Sequence, residues 1–297
     1  MRSLNRALTR RTAAAATVAV LSALDHTRAA TRDFLWKVSG KQTAIYLVGS
    51  VHILTKDYYP LSVALDTAFK DSDLVVEETD IGELLSTDSQ FQMLTQGMLP
   101  EGQSLEKVVS ASTYAQVSKR LANLGMPIEP LKQLKPWMLA LMLLHLEWQK
   151  AGFDPNLGLD KHFYDRAHRD GKTVQGLETS DYQISLLDGM TSEQQDRLLA
   201  DTLKGLDTEI ANFDKLVGAW KEGDAPTVER ITLADLKQDP VLYRRLLVER
   251  NQNWLPKLEA LFNRPGHAFV VVGAAHLVGP DGLLAMFKAK GYNIEQM

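Results

Sequence analysis

Hydrophobic residues along this chain follow two different periods. The runs FLWKV (34–38) and AIYLV (44–48) are apolar, aromatic and β-branched, with Gly40-Lys41 between them, and they predict a β-hairpin. Over 60–70, Leu61, Ala64, Leu65 and Ala68 fall on one helical face, and Pro60 suits a first helical turn. LVVEE (74–78) predicts a buried strand that turns acidic at its end. From Gly82 to about Phe262 the spacing is helical, as in Trp137, Leu141, Leu144 and Trp148, or Leu242, Leu246 and Leu247. TVQGL (173–177) interrupts that stretch after a helix at 160–169 and the turn Asp170-Gly171, and predicts a strand returning to the sheet. Last come the five apolar residues 268–272, a helix over 282–290 and a closing strand near 292–294.

Strands alternating with helices predict an α/β fold with a mixed, largely parallel sheet built from both chain ends. A large helical insertion, about 83–262, covers its edge. Neither terminal piece has enough strands to stand alone, so 31–297 is expected to form one domain.

With 45% hydrophobic and 24% charged residues, composition is that of a globular chain, and a net charge of -4 offers no basic field for nucleic acid. Cysteine is absent, so a metal would sit on His, Asp or Glu, and a nucleophile would be water, Ser, Thr or a carboxylate. Residues 1–30 pair an Arg-rich start (Arg2, Arg6, Arg10, Arg11) with a short small-residue apolar stretch at 12–24, the pattern of a signal peptide. The mature chain is therefore expected in the periplasm or outside the cell, without stable membrane insertion after cleavage. An Arg-rich amphipathic or disordered tail is the other reading.

Two segments echo each other. Val48-Gly49-Ser50-Val51-His52 resembles Val272-Gly273-Ala274-Ala275-His276: each is an apolar strand, then glycine, two small or apolar residues, and histidine. Strand ends of an open α/β sheet open onto its ligand crevice, and a histidine there suits a metal ligand or a general base. Alone, either one reads as a hydrogen-bonded structural histidine. Glu77, Glu78 and Asp80 end the third strand, where Glu78 continues the face of Val76 and Glu77 points to the other. Two imidazoles and a carboxylate hold a hydrolytic metal without cysteine, whereas a solvated acidic loop is the plain alternative. His145, His162, His168 and His267 read as helix-face or loop residues, and Ser50 lacks the G-x-S-x-G setting of a nucleophile.

Gly49-Ser50-Val51-His52, Glu78-Thr79-Asp80, Gly158-Leu159-Asp160, Leu177-Glu178-Thr179, Glu249-Arg250-Asn251 with Trp254, and Val272 to Gly279 together resemble the successive landmarks of the TraB/GumN family. That family is related to the Tiki metalloproteases and more distantly to erythromycin esterase and ChaN-like proteins. The resemblance implies a divalent metal ion (Mn, Co or Zn) on His52, Glu78 and His276, with Glu178 and Arg250 in or beside the same crevice. It implies a metal-dependent hydrolase, peptidase-like, acting on a peptide or a small ester or amide. The alternatives are metal-free hydrolysis with a histidine base, or a binding protein that catalyses nothing. Glu178 and Arg250 also read as a plain ion pair ordering the insertion.

Overall fold

The computed structural model describes residues 32–41, 43–234 and 236–297, so the expected leader lies outside the described residues. Six strands form one sheet: β1 (Leu35–Ser39), β2 (Ala44–Ser50), β3 (Ser72–Thr79), β4 (Thr173–Glu178), β5 (His267–Gly273) and β6 (Asn293–Gln296), in the order β4-β3-β5-β2-β1-β6. β2, β3, β4 and β5 run parallel, while β1 is antiparallel to both β2 and β6. The sheet is mixed, largely parallel and built from both chain ends, as the alternating pattern predicts, with β4 and β6 at its edges. Every residue of β2 is buried, which follows from helices covering both faces of a parallel sheet.

Parallel strands bring four C-terminal ends to one edge, and that geometry decides where chemistry can gather. Helix Leu159–Arg169 lies on the sheet through Phe163, whose ring centroid is 5.4 Å from that of Phe69 and 4.5 Å from that of Phe269. This packing sets the start of the helix beside the strand ends. The insertion carries a core of its own, in which Val117 and Leu121 of helix Ala111–Asn123, Leu139 and Leu143 of helix Pro136–Lys150, and Leu199 of helix Ser192–Lys221 are buried together. Among the described residues no helix is long and apolar enough to cross a membrane.

Several boundaries differ from expectation for local physical reasons. The first helix begins at Val63, not at Pro60, because the Ser62 hydroxyl caps it by accepting from the Leu65 amide at 3.1 Å. His267 is the first residue of β5 rather than a loop residue, with its Nδ1 3.0 Å from Thr43 Oγ1. Arg250 lies in helix Glu249–Ala260, which continues directly from a π-helical turn at Arg244–Val248. Single π-turns of this kind recur at functional sites.

Candidate active site

The acidic end of β3 is not a solvated loop. Glu77 is 1% exposed and Glu78 has only 12% of its side chain accessible, because the strand continues to Thr79 inside the sheet. Alternation sends the two side chains to opposite faces. Glu77 is sealed away with neither oxygen in a well-formed hydrogen bond, and burial pushes its carboxyl up to about 9. Glu78 enters the crevice, where Oε1 accepts from the Gly273 amide at 2.7 Å and Oε2 accepts from Arg250 and, at 3.3 Å, from Gln183. Burial alone would raise its carboxyl, but Arg250, His276 and His52 outweigh that and hold it well below the usual carboxylate range.

His276 lies in the short helix Ala274–Leu277 that turns off the end of β5. Its tautomer follows from Asn251. The Asn251 amide nitrogen donates to the carbonyls of His276 (3.1 Å) and Asp281 (2.8 Å), so its oxygen faces the imidazole. Nδ1–H therefore donates to Asn251 Oδ1 at 2.7 Å, and the lone pair of Nε2 accepts from Arg250 Nη1 at 3.0 Å. Burial, then the positive charge of Arg250, keeps this ring neutral, with its pKa pushed down to about 3 although Glu78 pulls the other way. Trp254 packs against it at a 43° tilt, with centroids 4.4 Å apart.

His52 sits at the opposite wall. Its Nδ1 is 2.9 Å from Asp160 Oδ2, and 65% of its side chain is accessible. Asp160 Oδ1 accepts from the Ser50 hydroxyl at 2.8 Å, so the carboxylate is fixed between β2 and the helix that carries it. Asp160 raises the His52 pKa above that of an ordinary imidazole, by its charge first and its hydrogen bond second. The chain that follows His52 is bound to the helix start: the Leu159 amide donates to Val51 O at 3.0 Å and the Asp154 amide to Leu54 O at 3.0 Å. Gly158 stands against the His52 carbonyl so closely that a Cβ there would overlap it.

The two histidines do meet. A Cβ placed on Gly273 would lie 3.3 Å from His52 Nε2, 3.1 Å from Glu78 Oε1 and 3.6 Å from His276 Cδ2, so all three groups converge on that glycine. The echo in sequence is nevertheless one residue out of step in space, because Gly49 pairs with Val272 and Ser50 with Gly273. The first glycine makes room for Phe34, the second for the crevice.

Glu178, at the end of β4, completes the floor. Its Oε1 accepts from Arg250 Nε (3.0 Å) and Nη2 (2.6 Å), and its Oε2 from Trp254 Nε1 at 2.8 Å. All five N–H groups of Arg250 are thereby taken: Nε by Glu178, Nη1 by Leu246 O and His276 Nε2, and Nη2 by Glu78 and Glu178. The guanidinium has no donor left for a substrate oxyanion. It also stands where a cation bound to Glu78 and His276 would stand. As arranged, the donors of His52, Glu78 and His276 do not fit a shared divalent ion, because two of them already face Arg250. Among the described residues no group of three or more His, Asp or Glu side chains forms a ready metal site.

The residues singled out from the sequence (His52, Glu78, Glu178, Arg250 and His276) thus share one crevice. Reading the sequence missed Asp160, Asn251 and Gln183 as parts of it. Asp160 and Asn251 stand within quoted landmarks, but helix periodicity gives no sign of what they touch. Gln183 carries no signal in the sequence.

In Escherichia coli K12 an uncharacterized protein, YbaP, is 28% identical over 243 residues, 82% of this chain and 87% of that protein, and the Shigella flexneri YbaP aligns to the same extent. No solved structure matches. The TraB/PrgY/gumN family model matches residues 34–296, from the residue before β1 to the end of β6, and the chain belongs to that family.

Proposed function

We propose that this crevice is a hydrolytic site in which His52, held by Asp160, takes the proton from an attacking water. The supporting observation is the 2.9 Å contact between His52 Nδ1 and Asp160 Oδ2 on a ring that is otherwise open. A carboxylate on Nδ1–H fixes the tautomer and leaves Nε2 facing the Gly273 side of the crevice. Because Asp160 raises the ring to about 9, Nε2 is the base in the deprotonated form that grows as pH rises, and the proton it takes passes to the leaving group. Ser50 orients Asp160 through its hydroxyl and is not a nucleophile in this scheme. Arg250, Glu178 and Asn251 act behind the reacting atoms: they hold Glu78 and His276 in one charge state and one orientation. The substrate class carried by the family resemblance is a peptide or a small ester or amide, met outside the cytoplasm once residues 1–30 are removed.

The test is turnover of peptide, ester and amide panels by the purified mature chain, with and without a chelator. Chelator-insensitive turnover that disappears in His52→Ala and falls in Asp160→Asn, with the fold intact by circular dichroism, is the expected result. Unchanged turnover in His52→Ala sinks the reading. A second reading, a divalent ion shared by His52, Glu78 and His276, draws on their convergence at Gly273. It requires Arg250 to withdraw, and chelator-sensitive turnover would favour it. A ligand-induced rise in melting temperature without turnover on any substrate would favour a binding role.

A further inference from the structure

We propose that Arg250 is the resident cation of this crevice, doing for Glu78, Glu178 and His276 what a divalent ion does elsewhere, and that its removal unmasks a divalent-cation site on those three side chains. The inference does not depend on the crevice hydrolysing anything, since its readout is ion binding.

Three observations support it. First, the acceptors already converge on one cation, although with the arginine in place they do not form a ready metal site. Glu78 Oε2 and Glu178 Oε1 lie 2.5 and 2.6 Å from the one nitrogen Nη2, and His276 Nε2 lies 3.0 Å from the neighbouring Nη1. An ion near the Nη2 position would need these oxygens to close in by only a few tenths of an ångström to reach carboxylate–metal distances of about 2.0–2.2 Å, whereas His276, which faces Nη1, would have to swing further into the space the guanidinium leaves. Second, His276 is already in the tautomer a metal requires. Its Nε2 lone pair points inward while Nδ1–H is tied to Asn251, the outer hydrogen bond that orients metal-bound histidines. Third, the charges do not balance. Two buried carboxylates, with 12% and 5% of their side chains accessible, share one guanidinium, so a doubly charged ion would match them better than the arginine does. Arg250 prevails because it is covalently part of the chain, is always charged and satisfies each acceptor in a fixed fork. Its stem is fixed too, with the guanidinium 4.7 Å over the Trp254 ring.

The experiment is Co²⁺ titration of the full mature chain, followed by visible absorption and by thermal unfolding. Wild type is expected to take up no Co²⁺ at this site and to show no shift in Tm. Arg250→Ala, with Arg250→Gln as the gentler change, is expected to bind one equivalent, develop a d–d band and gain Tm on adding the ion. Arg250→Lys keeps the charge and is expected to bind none. Adding Glu178→Gln or His276→Ala to Arg250→Ala is expected to abolish the band. Wild type binding one equivalent of Co²⁺ with a spectrum lost in His276→Ala would overturn the proposal. So would folded Arg250→Ala and Arg250→Gln proteins that bind no ion, or both failing to fold even when refolded with Co²⁺.

Discussion

Arg250→Met tests how much the buried ion cluster contributes to holding the insertion on the sheet. The substitution leaves a side chain of similar reach but strips three hydrogen bonds from Glu78 and Glu178 and one from His276. Removing one partner of a buried ion pair typically costs about 3–5 kcal/mol, because the remaining charge stays buried. Methionine returns at most roughly 1.5–3 kcal/mol of apolar burial, and little of that here, since polar groups surround it. A net loss of about 3 kcal/mol is therefore expected near neutral pH. Its pH dependence has a definite sign. In wild type the Glu78 carboxyl is depressed, so its contribution is present above the ordinary carboxylate range and is lost as pH falls. Without Arg250 the burial that opposes its charge prevails, so the folded variant binds a proton more readily than the unfolded chain and gains relative stability as pH falls. The gap between wild type and variant should narrow by roughly 1–2 kcal/mol between about pH 7.5 and about pH 5. Urea unfolding followed by far-UV circular dichroism measures it, provided the m-values agree. A loss below about 1 kcal/mol, or a gap that widens on acidification, would refute the reasoning.

Three further outcomes follow from the same geometry. Asp160→Asn removes the main cause of the raised His52 pKa, so the ring should titrate closer to the ordinary imidazole value by NMR, and the pH limb of any activity should move down with it; an unmoved titration would separate the two residues. His276 has an ordinary value of 6.5 and about 3 in the fold, so as pH falls from 6.5 the unfolded chain takes a proton that the folded ring refuses, and stability is lost. At about 1.4 kcal/mol per unit that loss reaches roughly 4–5 kcal/mol near pH 3, and His276→Gln should flatten that part of the acid unfolding curve. Gly273→Ala places a methyl 3.1 Å from Glu78 Oε1 and 3.3 Å from His52 Nε2, so it should abolish turnover while lowering stability by about 1–3 kcal/mol. Wild-type turnover in that variant would show that the reaction does not use this volume.

Much of the fold is legible along the chain because its signals are local. β2 and β5 are apolar through their middles, over 44–48 and 268–272, and burial on both faces follows from that. Even β4, a short strand inside a helical stretch, stands out as TVQGL between a turn and an acidic residue. The paired G-x-x-H segments were visible for the same reason, as strand ends followed by a glycine. That Glu77 and Glu78 face opposite ways was legible from strand alternation, whereas the choice of Glu78 for the site came from the family resemblance.

Partner choice was beyond such reading. Asp160 and His52 are 108 residues apart, Arg250 and Glu78 are 172 apart, and nothing in helix or strand periodicity relates them. Asp160 reaches His52 through the packing of Phe163 on the sheet and the hydrogen bonds that tie the helix start to β2 and the chain after it, and Arg250 enters from helix Glu249–Ala260. The sequence by itself determined the sheet, its open edge and the residues delivered there, because strand formation and strand-end exposure depend on neighbours in the chain. Tertiary structure alone decided that an arginine fills the space between Glu78, Glu178 and His276, because a charged side chain takes its role from the groups that share its volume once water has been excluded.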